Sequence, residues 1–184
     1  TEILPSPWKV ALCAVDGSIT DDVSVQLEGL PEGVSHIVVS VGGNDGLQNM
    51  PILSEEVSTV AEGLSLLSDV ITEFRSAYRG MIEELAATKI PATVCTIYQP
   101  RFDEPPLQRV ALMALSLFND VIVSEAIRMS IPVLDLRQIF VEPRDYTNPI
   151  EPSTQGGKKM ASAITQIILD DSAIQKVTRV YGRL

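Results

Sequence analysis

Histidine is nearly absent from this chain: its 184 residues include one, His36. Cysteine occurs twice, as Cys13 and Cys95, with no Cys-x-x-Cys pair. These shortages argue against a zinc site built from the usual ligands, and no metal or other cofactor is expected. Both thiols fall inside strand-like runs and read as small buried side chains. They suit a reducing compartment, so a cytoplasmic setting is expected. Basic residues are also short, 14 Lys plus Arg against 24 Asp plus Glu, for a net charge of −10. That balance argues against a nucleic-acid surface or an anionic membrane as partner. No apolar run approaches the roughly 20 residues that cross a bilayer, and no signal-peptide pattern opens the chain. Phosphate loops are missing too. Gly42-Gly43-Asn44-Asp45-Gly46 fits neither a Walker loop nor Gly-x-Gly-x-x-Gly, which leaves nucleotide binding with little support.

The composition that remains is ordinary for a globular protein, 45% hydrophobic and 21% charged. We expect a single domain over residues 1–169, followed by an extension, residues 170–184, with no evident pattern. Short β-branched or apolar runs predict strands over residues 8–15, 37–41, 92–98 and 132–136. Between them lie helical patterns. Thr20 or Asp21 caps a short helix running to about Gly29. Ser54, followed by Glu55 and Glu56, is placed to start a long helix. Its apolar face runs through Val57, Val60, Leu64, Leu67, Ile71, Phe74, Tyr78, Met81 and Leu85, with Gly63 as a potential break. Another helix carries Leu107, Val110, Ala114, Phe118 and Met129 on one face. Residues 138–145 read as a short helix or irregular loop, and residues 158–169 as the last amphipathic helix. Strand and helix alternate, so the fold is α/β with a mainly parallel sheet.

In such a sheet, ligands sit beyond the carboxyl ends of the strands. The loops there hold Asp16-Gly17-Ser18, Gly42 to Asp45, residues 98–106 and residues 148–153. Asn44 and Asp45 lie directly after a strand, and Tyr98 and Arg101 are placed to line a cleft. The Gly17 N–H and the Asn44 side-chain amide are two donors able to stabilise an oxyanion. Ser18 reads as a turn residue more readily than as a nucleophile, and its setting is not a Gly-x-Ser-x-Gly elbow. His36 precedes its strand, at the amino end of the sheet, and is expected to be structural or solvent-exposed.

Ser40-Val41-Gly42-Gly43-Asn44-Asp45 resembles the Gly-x-Asn-Asp block of the SGNH/GDSL hydrolases, a family of serine esterases and lipases. Asp16-Gly17-Ser18-Ile19-Thr20 is similar to the block whose glycine supplies an oxyanion-hole N–H. Asn148-Pro149-Ile150-Glu151-Pro152-Ser153, with Gly156 or Gly157 and Met160-Ala161 after it, resembles the Asp-x-x-His block and the last helix. The resemblance implies a three-layer α/β/α fold of the flavodoxin-like type and hydrolysis of a small-molecule ester without a cofactor. Gly17 and Asn44 would stabilise the oxyanion. At the Asp-x-x-His block, Asn148 falls on the aspartate and Glu151 on the histidine; a second register keeps Asp145 and puts Asn148 at the histidine. Neither supplies an imidazole. Glu151 is the better substitute base, although a carboxylate with a reference pKa of about 4.3 is a weak one. The family's first block, a strand running into Gly-Asp-Ser that carries the nucleophile, has no counterpart before Trp8. A β-α unit of roughly 30 residues is therefore expected upstream of Thr1, or another segment in its place. A non-catalytic binding or structural protein built on the same scaffold is the competing expectation.

Overall fold

The structure, a computed structural model, describes residues 4–169 and 180–181. Four parallel strands form one sheet in the order β1-β2-β3-β4. They are β1 (Ile37–Val39), β2 (Ala92–Cys95), β3 (Val133–Leu134) and β4 (Val180–Tyr181). Ile37 pairs with Ala92, Val94 with Val133, and Val133 with Val180. The helices are α1 (Val23–Glu28), α2 (Gly43–Gln48), α3 (Val60–Ala87), α4 (Pro105–Met129) and α5 (Thr154–Leu169).

Side chains alternate across each strand, so one sheet serves two cores. Ile37, Val39, Val94 and Val133 face α3 and α4, meeting Phe74, Tyr78, Phe118 and Ile122. Val38, Cys95 and Leu134 face the other way, onto Phe140, Ala163 and Ile167. Helices thus cover both faces of a parallel sheet, as the strand–helix alternation predicted. Burial pushes the Cys95 thiol up to about 12, which makes it an inert packing group.

Two long helices form the front layer. Thr59 caps α3, its hydroxyl accepting from Glu62 N–H at 3.1 Å, while the Glu62 carboxylate accepts from Ser58 N–H at 2.8 Å. That reciprocal arrangement starts the helix later than Ser54, and Gly63 lies within it without a break. Residues 50–54 form a short 3-10 turn instead. Pro105 opens α4, where its missing N–H costs nothing. By length and composition alone α4 is long and apolar enough to cross a membrane. Here α4 packs along α3 and buries Phe118, Val121, Ile122 and Ala126.

One predicted strand is not formed. Residues 8–15 have strand composition but pair with nothing among the described residues, and Leu12 stays 86% exposed. A strand needs a partner for its backbone groups. The sheet instead begins at β1, whose second edge has no strand beside it among the described residues.

Behind the sheet, α5 starts at Thr154, four residues before its apolar pattern begins. Gly156 lies so close to Phe140 and to the Asp145 carbonyl that a Cβ would collide with both. Gly156→Ala is expected to cost roughly 2–3 kcal/mol, the cost of overpacking against backbone that has no room to give. Urea unfolding should show this as a lower midpoint at unchanged slope.

Candidate active site

The carboxyl ends of the strands open into a cavity of about 370 Å³. Its walls come from separate parts of the chain. Ser40 to Asn44 follow β1, Thr96 to Tyr98 follow β2, and Ile150 to Pro152 lie in the loop before α5. Asp16 and Ser18 close one side, and residues of α3 and α4 close the back.

Asn44 is held here by an unexpected helix. Gly42 adopts φ +111°, and a Cβ there would press on Ile97 and Phe74 at 3.2 and 3.3 Å. Only glycine combines that conformation with that approach. The chain then turns directly into α2, a helix that Gly43, Asn44, Asp45 and Gly46 would not form from propensity. Tertiary bonds hold it. Asp45 accepts from Thr20 N–H at 3.1 and 3.3 Å, and Asn49 donates to the Asp45 carbonyl at 2.9 Å. Asp45 therefore anchors α2 to the residue-20 turn and does not line the cavity, contrary to its expected place in the cleft. Burial nevertheless raises its pKa.

Asn44 does line the cavity. Its amide nitrogen donates to the Ser18 carbonyl at 2.8 Å. An amide carries two N–H bonds, so one donor remains. Gly17, the second expected donor, occupies a left-handed position with φ +81° in an exposed turn closed by Ser18 N–H on the Val15 carbonyl. Its neighbours Asp16 and Ser18 line the cavity, and Gly17 itself does not. The Ser18 hydroxyl accepts from Gln26 at 3.0 Å.

Across the cavity, the loop of residues 148–153 is tied into one arrangement. The Asn148 carbonyl oxygen accepts from the N–H groups of Ile150 and Glu151 at 3.0 and 2.9 Å. Its amide donates to Glu151 Oε2 at 2.6 Å. Asn148 thus orients the Glu151 carboxylate, which lines the cavity. Tyr98 forms part of the wall and donates its hydroxyl to the Ile150 carbonyl at 2.7 Å. Burial first, then the Tyr146 and Glu151 charges, push the Tyr98 phenol up to about 12, so it stays protonated.

Arg101 is not in the cleft. Its guanidinium donates to the Val141 carbonyl at 2.8 Å and lies 5.1 Å from the centre of the Tyr146 ring. It fastens the residue-100 loop to the residue-141 loop, because a planar cation gains from both a carbonyl and an aromatic face. His36 sits away from the cavity, with Nε2 3.2 Å from the Thr93 hydroxyl. Burial lowers its pKa.

Asp145, the alternative aspartate, is fully buried and belongs to a different unit. It accepts from the N–H groups of Val141 and Glu142 at 3.2 and 2.9 Å, and it pairs with Lys159 of α5 at 2.7 Å. These bonds hold its pKa below the ordinary carboxylate value against the opposing effect of burial. Glu151 lines the cavity, and Asp145 does not. We expect Asp145→Ala to lower stability by about 3 kcal/mol, as when one member of a buried ion pair is removed. Glu151→Gln should shift it by less than about 0.5 kcal/mol. Parallel thermal melts test the distinction.

Two positioning residues escaped the sequence reading. Asn119 is buried on α4 and grips the backbone where β2 ends, accepting from Ile97 N–H at 2.7 Å and donating to the Ile97 carbonyl at 2.9 Å. Thr96 donates to Asp135 and accepts from Leu136 N–H, both at 2.9 Å, which locks the ends of β2 and β3 together. An asparagine interrupting the apolar face of a helix, beside Phe118 and Val121, was the available signal.

No family model matches the sequence, and no curated protein gives a significant match. Solved structures do match. An extracellular lipase from Streptomyces rimosus aligns with a TM-score of 0.60 at 13% identity, over 82% of this chain and 76% of the lipase. An alpha/beta hydrolase enzyme from the metagenome of Lake Arreo, Spain, gives 0.57 at 15% identity, over 83% and 67%. A GDSL-like lipase from Bacteroides thetaiotaomicron gives 0.56 at 16% identity, over 83% and 71%. The likeness is one of fold. The chain shares its three-layer α/β/α architecture with these structures.

Proposed function

We propose that this chain forms the oxyanion-binding and proton-accepting part of an ester hydrolase. The observation that carries the reading is the meeting of Asn44 and the Asn148-oriented Glu151 on one cavity, at the end of the sheet where α/β folds bind ligands. The attacking group in this reading is a serine hydroxyl presented to the cavity beside the β1 edge, along which no strand lies among the described residues. Its hydroxyl oxygen bonds to the ester carbonyl carbon while its proton passes to Glu151. The carbonyl oxygen becomes an oxyanion and accepts the free N–H of Asn44. Collapse expels the alcohol, which takes the proton from Glu151. Water then repeats the sequence on the acyl-serine and releases the acid.

The competing reading is a binding protein without catalysis. It is favoured by the Asn44 bond to Ser18 and by the lack of an imidazole among the described residues lining the cavity. Hydrolysis of p-nitrophenyl butyrate by the protein decides between them. The hydrolase reading expects turnover above background, reduced about 10²–10⁴-fold in Glu151→Gln by loss of the general base. Background rates would leave the binding protein.

A further inference from the structure

The cavity carries charge of one sign. Asp16 lines it from the residue-17 turn and Glu151 from the loop before α5, and no Lys, Arg or His joins them among the described residues. Neither carboxylate has an ion pair there. The buried acids elsewhere do: Glu125 meets three arginines, Asp135 meets Arg137, and Asp145 meets Lys159. Glu151 is oriented by the Asn148 amide, which supplies a hydrogen bond and no charge. Arg101 falls between the lining residues Pro100 and Phe102, yet its guanidinium is committed to the Val141 carbonyl and the Tyr146 ring. Two carboxylates without a counter-charge, in a cleft walled by apolar side chains, focus a negative field on what enters. The net charge of −10 reinforces that field.

The rest of the lining selects among cations. Tyr98, Phe102 and Phe118 bring three aromatic side chains to the wall, and Leu67, Val70 and Ile97 are aliphatic. Such a wall offers few acceptors to an ammonium group with several N–H bonds to satisfy. A quaternary ammonium has none. Its methyl groups pack as hydrocarbon, while its charge is drawn to ring faces and to carboxylates. The volume of about 370 Å³ falls within the range of roughly 300–1,000 Å³ usual for small-molecule sites.

We propose that the cavity binds a small quaternary ammonium compound, its positive charge balanced by Asp16 and Glu151. The ligand class stands on the lining itself. The substrate class rests on the hydrolase reading of the same site, and becomes esters of ammonium alcohols with the carbonyl oxygen on Asn44. A ligand that carries its own anionic group is excluded, because that group would meet the same two carboxylates. A free ammonium alcohol or its ester therefore fits, and a phosphocholine lipid headgroup does not.

The test compares choline with 3,3-dimethyl-1-butanol, which has the same shape with carbon in place of the charged nitrogen. Affinities are read from NMR shift titrations of the protein, so no bond has to be cleaved. Choline is expected to bind about tenfold more tightly at low ionic strength, through ring and carboxylate attraction together. That advantage should shrink as added salt screens the charges. Asp16→Ala should cut it about threefold and leave the affinity for the alcohol unchanged. Asp16 is exposed and has no hydrogen-bond partner among the described residues, so the variant keeps its fold. Asp103→Ala removes an equal charge outside the lining and should change neither affinity. Phosphocholine should bind at least about tenfold more weakly than choline. Equal affinity for choline and the alcohol overturns the inference. So does phosphocholine binding as tightly as choline, or Asp103→Ala acting as strongly as Asp16→Ala. The hydrolase reading fails separately: a choline advantage with background p-nitrophenyl butyrate hydrolysis keeps the ligand class and removes catalysis. Hydrolysis without that advantage does the reverse.

Discussion

If the chain acts as the proposed ester hydrolase, replacing Asn44 by alanine is expected to lower kcat about 10²–10³-fold and to leave KM near its wild-type value. The split follows from when the interaction forms. A neutral ester carbonyl accepts a hydrogen bond weakly, whereas the tetrahedral oxyanion carries a full charge. A donor fixed before reaction therefore favours the transition state over bound substrate. Asn44 is fixed in this sense. Its helix is anchored by Asp45 on Thr20, and its amide is oriented by the Ser18 carbonyl at 2.8 Å. The substitution also removes that second bond, which costs about 1 kcal/mol of stability. Melting temperature and kinetics measured together separate the effects, since so small a loss cannot empty the folded state. A protein that only binds would show the same background rate with and without Asn44.

The largest effect on stability is expected at Glu125. This carboxylate is 2% exposed between α3 and α4, yet it meets three arginines. Arg79 donates to it through Nε at 3.1 Å and Nη2 at 2.8 Å, Arg128 through Nε at 2.8 Å, and Arg75 stands 3.5 Å away. The Arg79 hydrogen bonds, aided by those of Arg128, draw the Glu125 pKa down to about 2 despite burial. Glu125→Ala leaves clustered cations without their anion, at a cost of roughly 3–5 kcal/mol. The partial exposure of the arginines places the value toward the lower end. The sign of the pH dependence is fixed by the depressed pKa. From an ordinary value of 4.5, the group falls to about 2 on folding, so its stabilisation is complete above about pH 5. It fades as pH drops through 2. Urea midpoints of wild type and variant should differ most near neutrality and converge in acid.

Periodicity made most of the architecture legible. The face from Val60 to Leu85 became α3, the pattern from Leu107 to Met129 became α4, and β1, β2 and β3 lie inside their expected runs. What failed depended on partners. Residues 8–15 have the composition of a strand, but composition supplies no neighbour for the backbone. The helix α2 begins with glycines and is held by Thr20 and Asn49, which no local pattern announces. The site divides the same way. Position after a strand put Asn44 and Tyr98 on the cavity, and the proline-rich loop brought Glu151 there. The same rule misplaced Asp45, because a residue next to Asn44 on a helix points elsewhere. It also misplaced Arg101, whose carbonyl and ring partners come from distant loops. The sequence left Asp145 as an alternative to Asn148 at the aspartate position. Burial and Lys159 separated them.

The most direct test is a crystal structure of the protein with 1,1,1-trifluoro-2-decanone, a neutral ketone whose carbonyl readily becomes an oxyanion. The account predicts the ligand oxygen about 3 Å from the Asn44 side-chain nitrogen, at hydrogen-bond distance. A ligand bound outside this cavity, or held within it with its oxygen turned away from Asn44, would contradict the account.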